Sequence, residues 1–178
     1  GSWRGKWRYC KFEADVANEV DSSVGGDARG NGIAWMASLM RARTPLASLS
    51  LGGGRQSLMP PIFVERLIRH SEDFVGFSGD IEITAEANPT SVEADAMLGF
   101  QKAGVNRVSM GVQSLDDAGL KFLGREHSAA GALQALDRVN RAFDSVSIDL
   151  MYALPEQSAK TWEALLGQAL SLGLGHLD

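Results

Sequence analysis

One cysteine, Cys10, is all the thiol that 178 residues carry. That excludes a disulfide framework within the chain and is compatible with a reducing compartment. Histidine is nearly as scarce: His70, His127 and His176 stand isolated, without the paired spacings of metal-binding motifs. Positive charge is short too, with 17 Lys and Arg against 22 Asp and Glu and a net charge of -5. This argues against a nucleic-acid partner, because phosphate binding needs a concentrated basic field. The one basic cluster, Arg4, Lys6, Arg8 and Lys11 interleaved with Trp3, Trp7 and Tyr9, has an alternative reading as a membrane-surface peptide, but it is short and lacks a helical apolar face. No apolar run has membrane-spanning length and no signal-peptide pattern is present, so a cytoplasmic location and no transmembrane segment are the expectations.

What is there is an ordinary globular composition, 44% hydrophobic and 22% charged, read as one α/β domain over 1–178. Residues 13–32 are rich in Asp, Glu, Ser, Gly and Asn and read as a variable surface loop. Apolar runs at Leu46 to Leu51, Ile81 to Ala85, Val108 to Val112 and Val146 to Met151 read as strands, each followed by a helical pattern. A helix over Ile33 to Arg43 stops before Thr44-Pro45. Pro60-Pro61 start another that runs to about Asp73. Further helices span Val92 to Ala103, ended by Gly104, about Ala129 to Ala142, and Ser158 to Leu172.

Each strand ends in a polar or backbone-exposing group: Gly52-Gly53-Gly54, Glu86, Gln113 and Asp149. In a parallel α/β barrel the carboxyl ends of successive strands share one mouth, so these groups would face a common ligand. The strand-helix unit recurs four times, and another strand is expected to begin at His176-Leu177-Asp178. The expectation is a partial parallel barrel, incomplete at both ends, whose missing strands would cover its edges.

Six segments in order carry a family resemblance: Tyr9-Cys10-Lys11-Phe12; Leu51-Gly-Gly-Gly54; Glu86-Ala-Asn-Pro89; Asn106-Arg-Val-Ser-Met-Gly-Val-Gln113-Ser-Leu-Asp; Gly124-Arg125-Glu-His-Ser128; and Ile148-Asp149-Leu-Met-Tyr-Ala-Leu-Pro155. The chain resembles the radical S-adenosylmethionine (SAM) proteins, specifically the oxygen-independent coproporphyrinogen III oxidase group and within it the HemW-type heme chaperones. Phe12 favours the chaperone branch, because the oxidases have a fourth cysteine there, and Glu86-Ala-Asn-Pro89 and His127-Ser128 point the same way.

The resemblance implies a radical SAM core with a 4Fe-4S cluster held by three thiolates and SAM on the open iron. It implies SAM contacts at Tyr9, Gly53, Gly54, Arg55, Glu86, Gln113, Arg125 and Asp149, and a metal-ligand role for Cys10. For the chaperones it implies heme or porphyrin as cargo and respiratory proteins as recipients; for the oxidases, oxidative decarboxylation in porphyrin biosynthesis. Bland alternatives stay open. Gly52 to Gly54 also fit a tight turn, Glu86 a cap for the helix after Pro89, Arg125 a surface pair with Glu126 or Asp117, and Asp149 a pairing with Arg125 or Arg107.

The chain departs from the family at its chemical centre. Where the family reads Cys-x-x-x-Cys-x-x-Cys, this sequence reads Trp3-Arg-Gly-Lys-Trp7-Arg-Tyr-Cys10, and an indole nitrogen is a donor that cannot ligate iron. Arg55-Gln56 replace the family's Thr-Pro, and Ala153 stands where the family usually has glycine. Three readings follow: a heme-chaperone relative with a degraded cluster motif, an active coproporphyrinogen-type oxidase, and a non-catalytic decayed fragment.

Overall fold

The computed structural model describes Gly32, Trp35 and residues 44–52 and 59–178. Five parallel strands, β1 (Leu46–Leu51), β2 (Phe77–Ala87), β3 (Arg107–Gln113), β4 (Ser145–Leu150) and β5 (His176–Leu177), lie side by side in chain order. Between them run α1 (Pro61–Val75), α2 (Ser91–Lys102), α3 (Asp117–Leu123), α4 (Ala129–Asn140) and α5 (Ala159–Leu170). Neighbouring strands that never change order describe an open arc of a barrel, the partial barrel expected from the sequence. The strand expected at His176 is β5, which pairs with β4 through Ser147 and Ile148. The helix read over Ile33 to Arg43 and the loop at 13–32 fall outside the described residues, except for Gly32 and Trp35. No described helix is long and apolar enough to cross a membrane.

Side-chain alternation gives this sheet two unlike faces. Leu49 and Leu51, Ile83 and Ala85, Val108 and Met110, and Val146 and Ile148 point one way and join a core with Val64, Ile68, Met97, Phe100, Leu136 and Val139 of the covering helices. Glu82, Thr84 and Glu86, Arg107 and Ser109, Ser147 and Asp149, and His176 point the other way. The register places Glu86, Ser109, Ser147 and His176 in one row across four strands. Arg107 fastens that face together: its guanidinium donates to Glu82 Oε1 at 3.3 Å and to Ser147 Oγ at 3.0 Å, and stands 3.7 Å from Asp178 Oδ2.

The helix starts follow from their caps. Thr90, Asp116, Ser128 and Ser158 each accept a hydrogen bond from the backbone N–H three residues on, which satisfies one orphan donor of the first turn. Helix α3 has no counterpart in the sequence reading: at seven residues it is too short to display a period. Strand β2 starts at Phe77 rather than Ile81: Phe77 pairs with Leu46, and past Gly79 and Asp80, which interrupt the apolar run, the ladder resumes with a register shift at Glu82 and Ser48.

Ala153 lies in the left-handed region at φ 58°, where a Cβ costs about 1–2 kcal/mol. Ala153→Gly is expected to relieve that strain. After the added backbone freedom of the unfolded chain is subtracted, the net gain is about 0.5–1 kcal/mol, read as a higher urea midpoint at unchanged slope. A lower midpoint would show that the loop tolerates its alanine without strain.

Candidate functional site

The carboxyl end of β3 departs from regular strand geometry. Pairing with β4 slips by one residue between Met110 and Gln113, a bulge that bends the strand and re-aims its last side chain. Gln113 takes φ 68°, an uncommon conformation for a residue with a Cβ. Its backbone carbonyl accepts from Met151 N–H at 2.8 Å. Its side chain folds back over Gly111, where a Cβ would stand 3.0 Å from Gln113 Nε2 and 3.7 Å from Arg125 Nη2. A Cβ at 111 would therefore make the Gln113 amide give way, because the amide and the guanidinium occupy the space above it.

Arg125 reaches this point because α3 ends in a Gly124 cap with φ 75°, and the Arg125 N–H turns back onto Leu120 O at 2.9 Å. The guanidinium is buried, with Nη2 donating to Gly111 O at 2.6 Å and to Asn88 Oδ1 at 3.0 Å. The guanidinium is thus turned inward, where the sequence left open a surface pairing with Glu126 or Asp117. Two residues on, His127 Nε2 lies 3.2 Å from Val112 O, so it is the protonated ring nitrogen that faces the carbonyl. Burial, then the Arg125 guanidinium, hold His127 below the ordinary imidazole value, against the opposing pull of Val112 O and Asp117.

Glu86 ends β2 against Gly52, where a Cβ would meet Glu86 Oε1 at 2.7 Å. The strand end and the carboxylate therefore form a cradle that any larger residue at 52 would fill. Glu86 is not the helix cap, because Thr90 takes that part. Asp149 sits on the polar face with Oδ1 accepting from Ser109 Oγ at 2.8 Å, and Ser109 is the register neighbour of Glu86. Its hydrogen-bonding partner is a neutral hydroxyl, not Arg125 or Arg107. Burial raises the Asp149 carboxyl above the usual carboxylate range; the Ser109 hydroxyl opposes this, Asp178 adds to it, and Arg107 and Arg125 oppose it more weakly.

The structure thus gathers Gln113 and Arg125 around Gly111, sets Glu86 against Gly52, and puts Asp149 on the same polar face. Tyr9, Cys10, Gly53, Gly54 and Arg55 lie outside the described residues. Among the described residues no group of three or more His, Cys, Asp or Glu is placed to hold a metal ion. Two contributors escaped the sequence reading. Asn88, inside the quoted Glu86-Ala-Asn-Pro89 segment, is the acceptor for Arg125. Glu93 accepts from Asn88 N–H at 2.7 Å and Asn88 Nδ2 at 3.0 Å. The signal for Glu93 was present as Thr90-Ser-Val-Glu93, a capping-box pattern; its carboxylate holds Asn88 instead of serving only the cap.

An arc of parallel strand-helix units with a polar mouth built from strand ends is the architecture of the radical SAM class. The profile of the Radical SAM superfamily matches residues 34–169, and the chain belongs to that superfamily. Within it the chain groups with the coproporphyrinogen III oxidase and HemW-like proteins. It is 38% identical over 157 residues to the mouse "Radical S-adenosyl methionine domain-containing protein 1, mitochondrial", covering 86% of this chain and 35% of that protein. It is 39% identical over 132 residues to "Heme chaperone HemW" of Escherichia coli K12, covering 74% of this chain and 35% of that protein. The structure of E. coli coproporphyrinogen III oxidase (HemN), described as a radical SAM enzyme, superposes with a TM-score of 0.72 at 27% identity, over 88% of this chain and 36% of that one. The chain therefore spans about a third of the length of these relatives.

Because the folded Asp149 carboxyl holds its proton more tightly than the unfolded one, stability falls as pH rises through its raised value. Asp149→Asn keeps an acceptor for Ser109 and is expected to raise the urea midpoint at pH 7. The advantage should shrink as pH falls toward about 4. A midpoint difference that does not vary with pH would contradict this account of the carboxylate.

Proposed function

We propose that this chain is the radical SAM core of a HemW-type heme chaperone, one domain over 1–178, which seats S-adenosylmethionine at the strand-end mouth but does not assemble the 4Fe-4S cluster. The observation that carries the proposal is the convergence of Gln113 and Arg125 on Gly111, beside a Gly52–Glu86 cradle on the same sheet end. These groups suit the ligand's chemistry. The guanidinium and backbone of a Gly-rich turn are donors for a carboxylate, whereas Glu86 and Asp149 accept from hydroxyl or ammonium groups and favour a cationic sulfonium. In this assignment Gly53, Gly54, Arg55 and Tyr9 complete the mouth. When bound, SAM supplies an activated sulfonium.

The donor set does not fit the cluster. Three irons need three thiolates, and the whole sequence has one, Cys10. Trp3 and Trp7 stand at the other two places with no lone pair to give. We therefore infer no radical step for this chain. Cys10 is retained as one ligand position of a disabled site. Heme as cargo is supported by the likeness to relatives that are heme chaperones. Heme-receiving respiratory proteins as partners and a reducing, cytoplasmic setting complete the proposal. The coproporphyrinogen oxidase alternative is disfavoured by the same missing thiolates, since that reaction needs the cluster.

Two experiments test this. Titration calorimetry of the chain with SAM is expected to give saturable binding that Arg125→Ala weakens by about tenfold or more, the scale of a charge-assisted hydrogen bond; equal affinity in the variant would remove Arg125 from the site. After anaerobic reconstitution the chain should hold no stoichiometric iron and sulfide, and Trp3→Cys with Trp7→Cys should hold them. Cluster in the unaltered chain, with deoxyadenosine formed from SAM, would overturn the assignment in favour of the oxidase reading. Saturable heme binding separates a chaperone from a non-catalytic fragment.

A further inference from the structure

Glu93 is a carboxylate with only 2% of its surface exposed, carried on the first turn of α2 a few residues past the end of β2. A buried carboxylate is costly unless its oxygens are used. Both are: Oε2 accepts from Asn88 N–H at 2.7 Å and Oε1 from Asn88 Nδ2 at 3.0 Å. This fixes which way the Asn88 amide points. With its NH2 on the carboxylate, Oδ1 faces the Arg125 guanidinium at 3.0 Å. The reversed amide would set oxygen against carboxylate and NH2 against guanidinium, two repulsive contacts in place of two attractive ones. Arg125 Nη2 is held from the other side by Gly111 O at 2.6 Å, under the Gln113 side chain. A carboxylate, an amide and a guanidinium thus form one polarised line from the start of α2 to the end of β3.

We infer that Glu93 and Asn88 are positioning residues, whose matched hydrogen-bond polarity aims the Arg125 guanidinium into the strand-end mouth. Neither needs to touch a ligand. The inference uses the proposal that SAM binds at this mouth only for its affinity consequence; the aim of Arg125 is measured without ligand.

His127 supplies the measurement. It faces Arg125 and Asp117, so its titration, followed by NMR, reports where the guanidinium stands. In Glu93→Gln the remaining oxygen still accepts from the Asn88 N–H, but the new NH2 faces the Asn88 Nδ2 donor, so the amide is driven to reverse and Arg125 is pushed away. Loss of a negative charge alone would lower the His127 pKa, whereas withdrawal of the guanidinium raises it, so the sign separates displacement from simple charge removal. The double variant Glu93→Gln with Asn88→Asp restores every donor to an acceptor and keeps one negative charge in the line. It is expected to return the His127 titration to the parent curve even where the single variant does not fold. SAM affinity should fall about tenfold in the single variant and recover to within about threefold in the double.

A folded single variant whose His127 pKa falls or stays put would overturn the inference. So would a double variant that does not fold, or one that folds with the titration still displaced. If the titrations behave as expected and no form of the chain binds SAM, the positioning role stands and the ligand assignment fails.

Discussion

The constraint on which the rest depends is a parallel sheet with only one apolar face. Parallel sheets are ordinarily covered on both sides and built from continuous apolar runs. Here the period of two places Ile83, Val108, Met110 and Ile148 under the helices, and Glu82, Glu86, Arg107, Ser109, Ser147 and Asp149 on the opposite face. Polar groups on such a face need partners, and the register provides them across strands: Arg107 to Glu82 and Ser147, Ser109 to Asp149. A slip of one residue would exchange the two faces, so the same pairing that buries the core also orders the mouth. The single departure in β3, past Met110, occurs where the last side chain, Gln113, has to leave the sheet and lie over Gly111. Strain at a strand end that also gathers Arg125 is the pattern expected where local geometry serves a ligand.

Much of this was legible in the sequence because periodicity and punctuation are local. Strand ends marked by Glu86, Gln113 and Asp149 needed only the recognition that each apolar run stops at a polar residue. Arg125 was legible by resemblance and not by physics, since nothing local shows that the Gly124 cap turns the following side chain inward instead of toward Asp117. Glu93 was illegible for a related reason. A glutamate three residues after a threonine reads as half of a capping box, and its burial depends on Asn88, which is folded over it from the preceding strand. The bulge in β3 left only the weak mark of a glycine inside a strand, Gly111, while the alternation around it runs on without interruption.

Family and chemistry separate cleanly in this chain. Membership rests on backbone features and on oxygen and nitrogen groups distributed over more than a hundred residues, and these survive as a fold and a mouth. The redox chemistry of the superfamily rests on three sulfur atoms within eight residues, of which one is present. A fold can host more than one function, and a site is judged by the groups it contains. Judged so, the mouth carries donors and acceptors suited to the proposed ligand, and the sequence carries one of the three thiolates that its reduction would need.

The charges at the mouth sharpen that distinction. Asp149 is desolvated, receives one hydrogen bond from a neutral hydroxyl and is repelled by Asp178, so in the absence of a ligand its ionised form is poorly supported. Arg125 gives little relief, because its Nη2 is committed to Gly111 O and Asn88 Oδ1. A cation entering beside Asp149 would favour the ionised carboxylate in the same low-dielectric surroundings that now disfavour it. A neutral thioether of the same shape would not. If SAM occupies the mouth as proposed, the burial that disfavours this carboxylate in the free chain would favour a sulfonium over a neutral thioether there.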